Sequence, residues 1–99
     1  MTLANGTNSA TLIAVESVVG GTGSDAITLG ATISAIDFNG STGNDSLTLA
    51  TGNNTATLTL VDVESIIGGS GTDTITLGTN ATNTHTISAI EGLVGNAGF

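Results

Sequence analysis

Short runs in which every second residue is aliphatic recur along the chain, separated by glycine-rich turns. Ile27 and Leu29, Leu47 and Leu49, and Ile75 and Leu77 alternate with Thr or Ser, the period of two expected of strands with one buried face. Thr28, Thr48 and Thr76 lie between them, and their β-branched side chains suit the outer face of a strand. A second aliphatic set runs Leu12, Ile33, Leu60, Ile87 and, three residues later in each case, Val15, Ile36, Val63, Ile90. Each residue of the later group precedes an acid: Glu16, Asp37, Glu64 and Glu91. No 3.6-residue period persists, and the Thr, Val, Ile and Gly that dominate are weak helix formers. The pattern predicts strands throughout, with equivalent aliphatic residues stacked into ladders.

The turns repeat as closely as the strands. VESVVGGTGSDAITLG (15–30) returns as VESIIGGSGTDTITLG (63–78), and GSTGNDSLT (40–48) is a third copy of the turn. A truncated copy, GNAGF, closes the chain at 95–99. A fixed internal period is the signature of a solenoid. The turn aspartates fall at 25, 45 and 73 and therefore predict coils of unequal length, approximately 1–24, 25–44, 45–72 and 73–99. The expected architecture is a single all-β domain over 1–99, a parallel β-solenoid (β-roll-like) of about four coils with one glycine-rich turn per coil. Variation in length falls opposite those turns, at GAT (30–32), ATGNNTA (50–56) and GTNATNT (78–84), as loops tolerate insertion and ladders do not.

Composition changes the picture because it supplies charge of one sign only. The 99 residues contain eight Asp and Glu, no Lys or Arg, one His and no Cys, for a formal net charge of −8. Carboxylates without basic partners are solvated, protonated or bound to cations. Nucleic acid, which is bound through Lys and Arg, is excluded as a partner, and so is an anionic membrane surface. No apolar run approaches the roughly 18 residues of a membrane span, and no basic leader segment is visible. Without cysteine there are no disulfides or thiolate metal sites. His85 sits alone in a polar strand entry, TNTHTIS, and no nucleophile elbow or zinc spacing exists, so catalysis is not expected.

The unit G-G-x-G-x-D-x-U-x, with U a large aliphatic residue, is matched in full at 20–28 and 68–76; 40–48 departs only at Ser41. It resembles the repeat of the RTX (repeats-in-toxin) proteins, secreted bacterial proteins whose β-rolls bind calcium. Carried over by position, the resemblance implies Ca²⁺ ligands in Gly20, Gly21, Gly23 and Asp25, in Gly40, Gly43 and Asp45, and in Gly68, Gly69, Gly71 and Asp73. Glycine turns aim carbonyl oxygens inward, and calcium takes six to eight hard oxygens. If stacked about 4.8 Å apart, ionised aspartates would repel by roughly 3–4 kcal/mol each at an effective dielectric of about 20. A cation between coils removes that cost. The motif occurs once per coil, so one calcium column is expected, with each aspartate answering the next. The second acid row, Glu16, Asp37, Glu64 and Glu91, reads as solvated strand ends rather than a second metal column, and Asp62 as a solvent-facing charge.

The resemblance further implies an extracellular or cell-surface location, as a calcium-rigidified module of a type I-secreted adhesin or surface protein. Its open ends would continue into a longer array or associate with further copies. An alternative is binding to ice or another regular surface through the turn residues Thr22/Ser24, Thr42/Asn44 and Ser70/Thr72, of which only Thr42 and Asn44 form a full Thr-x-Asn pair.

Overall fold

A computed structural model of the chain describes residues 1–77 and 86–94. The loop 78–84, His85 and the glycine-rich segment 95–99 lie outside the described residues. Among the described residues ten strands alternate between two parallel sheets. The first sheet holds β1 (Ser9–Leu12), β3 (Ala26–Leu29), β5 (Ser46–Thr48), β7 (Ser65–Ile67) and β9 (Thr86–Ser88) in that order. The second holds β2 (Ser17–Val19), β4 (Ala35–Asn39), β6 (Thr55–Val61), β8 (Thr74–Leu77) and β10 (Gly92–Val94). The chain winds between them as a parallel β-solenoid of about four turns with no helix among the described residues.

Alternation is what allows two sheets to share one core. In β6 every second residue, Ala56, Leu58 and Leu60, is buried while Thr55 and Thr57 are exposed. Register stacks the inward residues in files: Ala10 on Ile27, Leu47, Ile66 and Ile87 in the first sheet; Val18 on Phe38 and Leu60, and Ile36 on Leu58 and Leu77, in the second. Phe38 is completely buried and is the largest side chain of this core.

The coils are more even than the sequence landmarks imply. Ser9 pairs with Ala26, Ala26 with Ser46, Ser46 with Ser65 and Ser65 with Thr86, so the register advances 17, 20, 19 and 21 residues per coil. The boundary expected between coils 45–72 and 73–99 is therefore displaced, since 28 residues are about a coil and a half. The two aliphatic files also differ from expectation: Leu12 stacks on Leu29, Ile36 on Leu58, and Leu60 on Phe38. Stacked strands must enclose the same cross-section in every coil, so path length around the coil decides register and motif spacing does not.

Replacing Phe38 with Ala removes the largest wedge from a narrow core. Loss of about 3–5 kcal/mol is expected, measured as a lower denaturation midpoint at unchanged slope.

Candidate metal centres

The extra half coil sends Asp73 to the opposite side of the molecule from Asp25 and Asp45. Residues 20–25 and 40–45 lead from the second sheet to the first, whereas 68–73 leads from the first to the second. The single column with Asp73 stacked beside Asp45 is thus corrected: the glycine turns divide between two edges. The second acid row is likewise dispersed. Asp37 lies within β4 and stacks on Ser17. Glu64 precedes β7 on the Asp25 edge, and Glu16 and Glu91 lie on the Asp73 edge. In three of those places the aliphatic–acid pair forms a short turn whose preceding residue takes a left-handed backbone: Ala14 (φ 58°), Asp62 (φ 52°) and Ala89 (φ 55°).

What replaces the expected column is a pair of hydrogen-bonded ladders. On one edge Asp25 Oδ1 accepts the backbone N–H of Asn8 (3.0 Å), Asp45 Oδ1 that of Asp25 (2.7 Å), and Glu64 Oε2 that of Asp45 (2.6 Å). On the other, Asp73 Oδ1 accepts the N–H of Asn54 (3.0 Å), and Glu91 Oε1 lies 3.4 Å from the N of Asp73. Each acid holds the coil before it. Glu64 and Glu91, expected at solvated strand ends, are the last members of the two ladders among the described residues.

The aspartates are 0–1% exposed. Their second oxygens, Oδ2 of Asp25, Asp45 and Asp73, are buried and take no hydrogen bond. A buried carboxylate oxygen without a donor is costly, and this chain has no Lys or Arg to supply one. Each such oxygen faces the glycine five residues before it. A Cβ on Gly20 would lie 2.5 Å from Asp25 Oδ2 and 2.8 Å from the carbonyl oxygen of Gly40 in the next coil. A Cβ on Gly40 would collide with Asp45 Oδ2 and the Asp62 carbonyl, and one on Gly68 with Asp73 Oδ2 and the Ala89 carbonyl. Three times, a carboxylate oxygen and a carbonyl from the following coil converge where a side chain is missing.

This donor set fits a hard divalent cation: carboxylate and carbonyl oxygens in a glycine-cleared space. Among the described residues no three acidic or histidine side chains are grouped as ligands, so each ion would rest on one aspartate supplemented by backbone oxygens. Of the residues expected as ligands, Asp25, Asp45, Asp73 and the Gly40 carbonyl are brought to these positions. Gly20 and Gly68 contribute by lacking a side chain, while Gly21, Gly23, Gly43, Gly69 and Gly71 shape the turns. Positive φ is required at Gly23 (100°) and Gly71 (101°), and Ser41, the one departure from the motif, takes φ 74° with its N–H bonded to Asn39 Oδ1. The Asp62 and Ala89 carbonyls were not foreseen, because no side chain announces a backbone oxygen from a neighbouring coil.

Asp45 is the most crowded of the three. Burial holds its carboxyl above the ordinary 3.8; the Asp25 N–H opposes the shift, and the charges of Asp25, Glu64 and Asp62 add to it. No family model, curated protein or solved structure matches the chain.

Substituting Gly40 by Ala inserts a methyl group between Asp45 Oδ2 and the Asp62 carbonyl, and a loss of about 1–3 kcal/mol is expected from overpacking; a change within about 0.5 kcal/mol in chemical denaturation would contradict this packing. A carboxyl with a raised folded pKa binds its proton more tightly folded than unfolded. Its contribution is therefore complete below about 3.8 and is lost as pH rises through the raised value. In chelator, the melting temperature should fall as pH rises from 3.8 through the raised Asp45 value, and Asp45→Asn should flatten that fall.

Proposed function

We propose that this chain is a calcium-binding structural β-solenoid, a rod segment of an extracellular or cell-surface bacterial protein of the RTX type. One observation carries the reading: three buried aspartate oxygens lack a donor in a chain with no Lys or Arg, and each faces a carbonyl of the next coil. Asp25, Asp45 and Asp73 hold the ions, with the carbonyls of Gly40, Asp62 and Ala89 beside them. A bound cation supplies the positive charge that the buried carboxylates lack and ties each coil to its successor.

The remainder of the molecule suits a rod. The buried interior is occupied by aliphatic files, and the outward strand residues are largely Ser and Thr. β1 and β9 stand at opposite ends of their sheet, and on this reading their free strand edges pair with further coils, whether of a longer chain or of a second copy. Surface binding in the manner of an ice lattice has weaker support, because Thr22 and Thr42 are adjacent while Ser70 and Thr72 lie on the other edge.

Calcium should raise the melting temperature and sharpen the β-sheet circular dichroism, with EGTA reversing both. One ion per Asp turn is expected, and magnesium, which gives up its water reluctantly, should have a smaller effect. A spectrum and melting temperature indifferent to calcium would sink the proposal.

A further inference from the structure

The backbone aligns two more turns with the three glycine–aspartate turns. On one edge, residues 3–8 stack on 20–25: Ser9 pairs with Ala26, the Leu3 N–H donates to the Val19 carbonyl (2.8 Å), and the Gly6 N–H to that of Thr22 (2.6 Å). On the other, 49–54 stacks on 68–73, with the Leu49 N–H donating to the Ile67 carbonyl (2.8 Å) and the Gly52 N–H to that of Ser70 (3.1 Å). In all five turns the glycine two residues before the last position is left-handed: Gly6 (104°), Gly23 (100°), Gly43 (118°), Gly52 (98°) and Gly71 (101°). Close stacking repeats too, since a Cβ on Gly23 would lie 2.5 Å from the Gly6 carbonyl carbon, and one on Gly71 2.5 Å from that of Gly52.

The sequences fall into two classes. LANGTN (3–8) and LATGNN (49–54) begin with Leu-Ala and end in Asn; GGTGSD, GSTGND and GGSGTD begin with Gly-Gly or Gly-Ser and end in Asp. The last residue decides how the turn is closed. Asn8 Nδ2 donates to the carbonyls of Ala4 (2.7 Å) and Gly6 (2.9 Å), and Asn54 Nδ2 to those of Ala50 (2.8 Å) and Gly52 (3.1 Å). Each nitrogen also donates to the aspartate of the next coil, Asp25 Oδ1 or Asp73 Oδ1, at 2.7 Å. An ionised aspartate in the same place offers acceptors only; its Oδ2 is buried without a partner, as is Asn54 Oδ1, but it has no N–H with which to gather the turn carbonyls. The first residue follows suit: Gly20, Gly40 and Gly68 leave room against that oxygen, whereas Leu49 fills its place and is buried.

We infer that Asn8 and Asn54 are amide-closed versions of the cation turn, in which the side-chain nitrogen gathers the turn carbonyls that an ion gathers in the aspartate turns. Among the described residues each run of cation turns is accordingly preceded by a turn that needs no ion, and the identity of the last residue, Asn or Asp, sets how many cations the solenoid takes. The count of cations rests on the calcium reading above; the amide closure does not.

The test is D73N, with D25N on the opposite edge as a second variant, melted in EGTA and in calcium, with bound calcium counted by elemental analysis after desalting. In EGTA each variant should melt higher than the unsubstituted chain, by about 4–8 °C if the amide contributes about 1 kcal/mol. Each should also bind one calcium ion fewer and gain less from added calcium. If both variants melt at or below the unsubstituted chain in EGTA, the amide closure is overturned, whatever calcium does. If both melt higher while the unsubstituted chain binds no calcium, the closure stands and the calcium reading falls.

Discussion

Carboxylates buried inside a chain without Lys or Arg are the constraint from which the rest of the molecule follows. Asp25, Asp45 and Asp73 each give one oxygen to a backbone N–H of the coil before and keep the other inside, against a glycine and a carbonyl of the coil after. The first contact satisfies an amide donor that a turn leaves unpaired. The second leaves a buried oxygen to which no described residue donates. On the proposed reading a bound hard cation resolves it.

Several features that look separate are consequences of that arrangement. The glycine five residues before each aspartate is there because Oδ2 and a carbonyl from the next coil occupy the place of its side chain. The glutamates at 64 and 91 join the ladders because their longer side chains reach back from short turns to the same kind of N–H that an aspartate reaches from a long one. Among the described residues Asn8 and Asn54 precede the first aspartate of each ladder and donate forward to it. Asn, then Asp, then Glu is thus an order set by hydrogen-bond direction along the stack.

Much of this was legible before any coordinates. Alternation at Ile27/Leu29, Leu47/Leu49 and Ile75/Leu77 announces strands, because burial on one face of a pleated chain imposes a period of two. Repetition of the turn announces a solenoid, and the charge composition draws attention to the aspartates. Two things were misread. The 28 residues between Asp45 and Asp73 look like one long coil, although TGNN at 51–54, nineteen residues before SGTD at 70–73, carries the missing turn with asparagine in place of aspartate. The acid row Glu16, Asp37, Glu64, Glu91 looks like one column because each member follows an aliphatic residue, yet Asp37 is in mid-strand and the others are divided between the two edges.

Sequence by itself determined the kind of structure: β-strands from local alternation, stacked coils from repetition, and recurrent glycine–aspartate turns in a chain with no Lys or Arg. These depend on neighbours within a few residues, where periodicity and backbone freedom act directly. Tertiary structure decided which residues share an edge, which carbonyls meet each aspartate, and which acids share a ladder. Those depend on the length of path around a coil, since every coil must enclose the same core cross-section. Insertions and deletions in the turns change which landmark comes round to face which, without leaving any mark in the landmark itself.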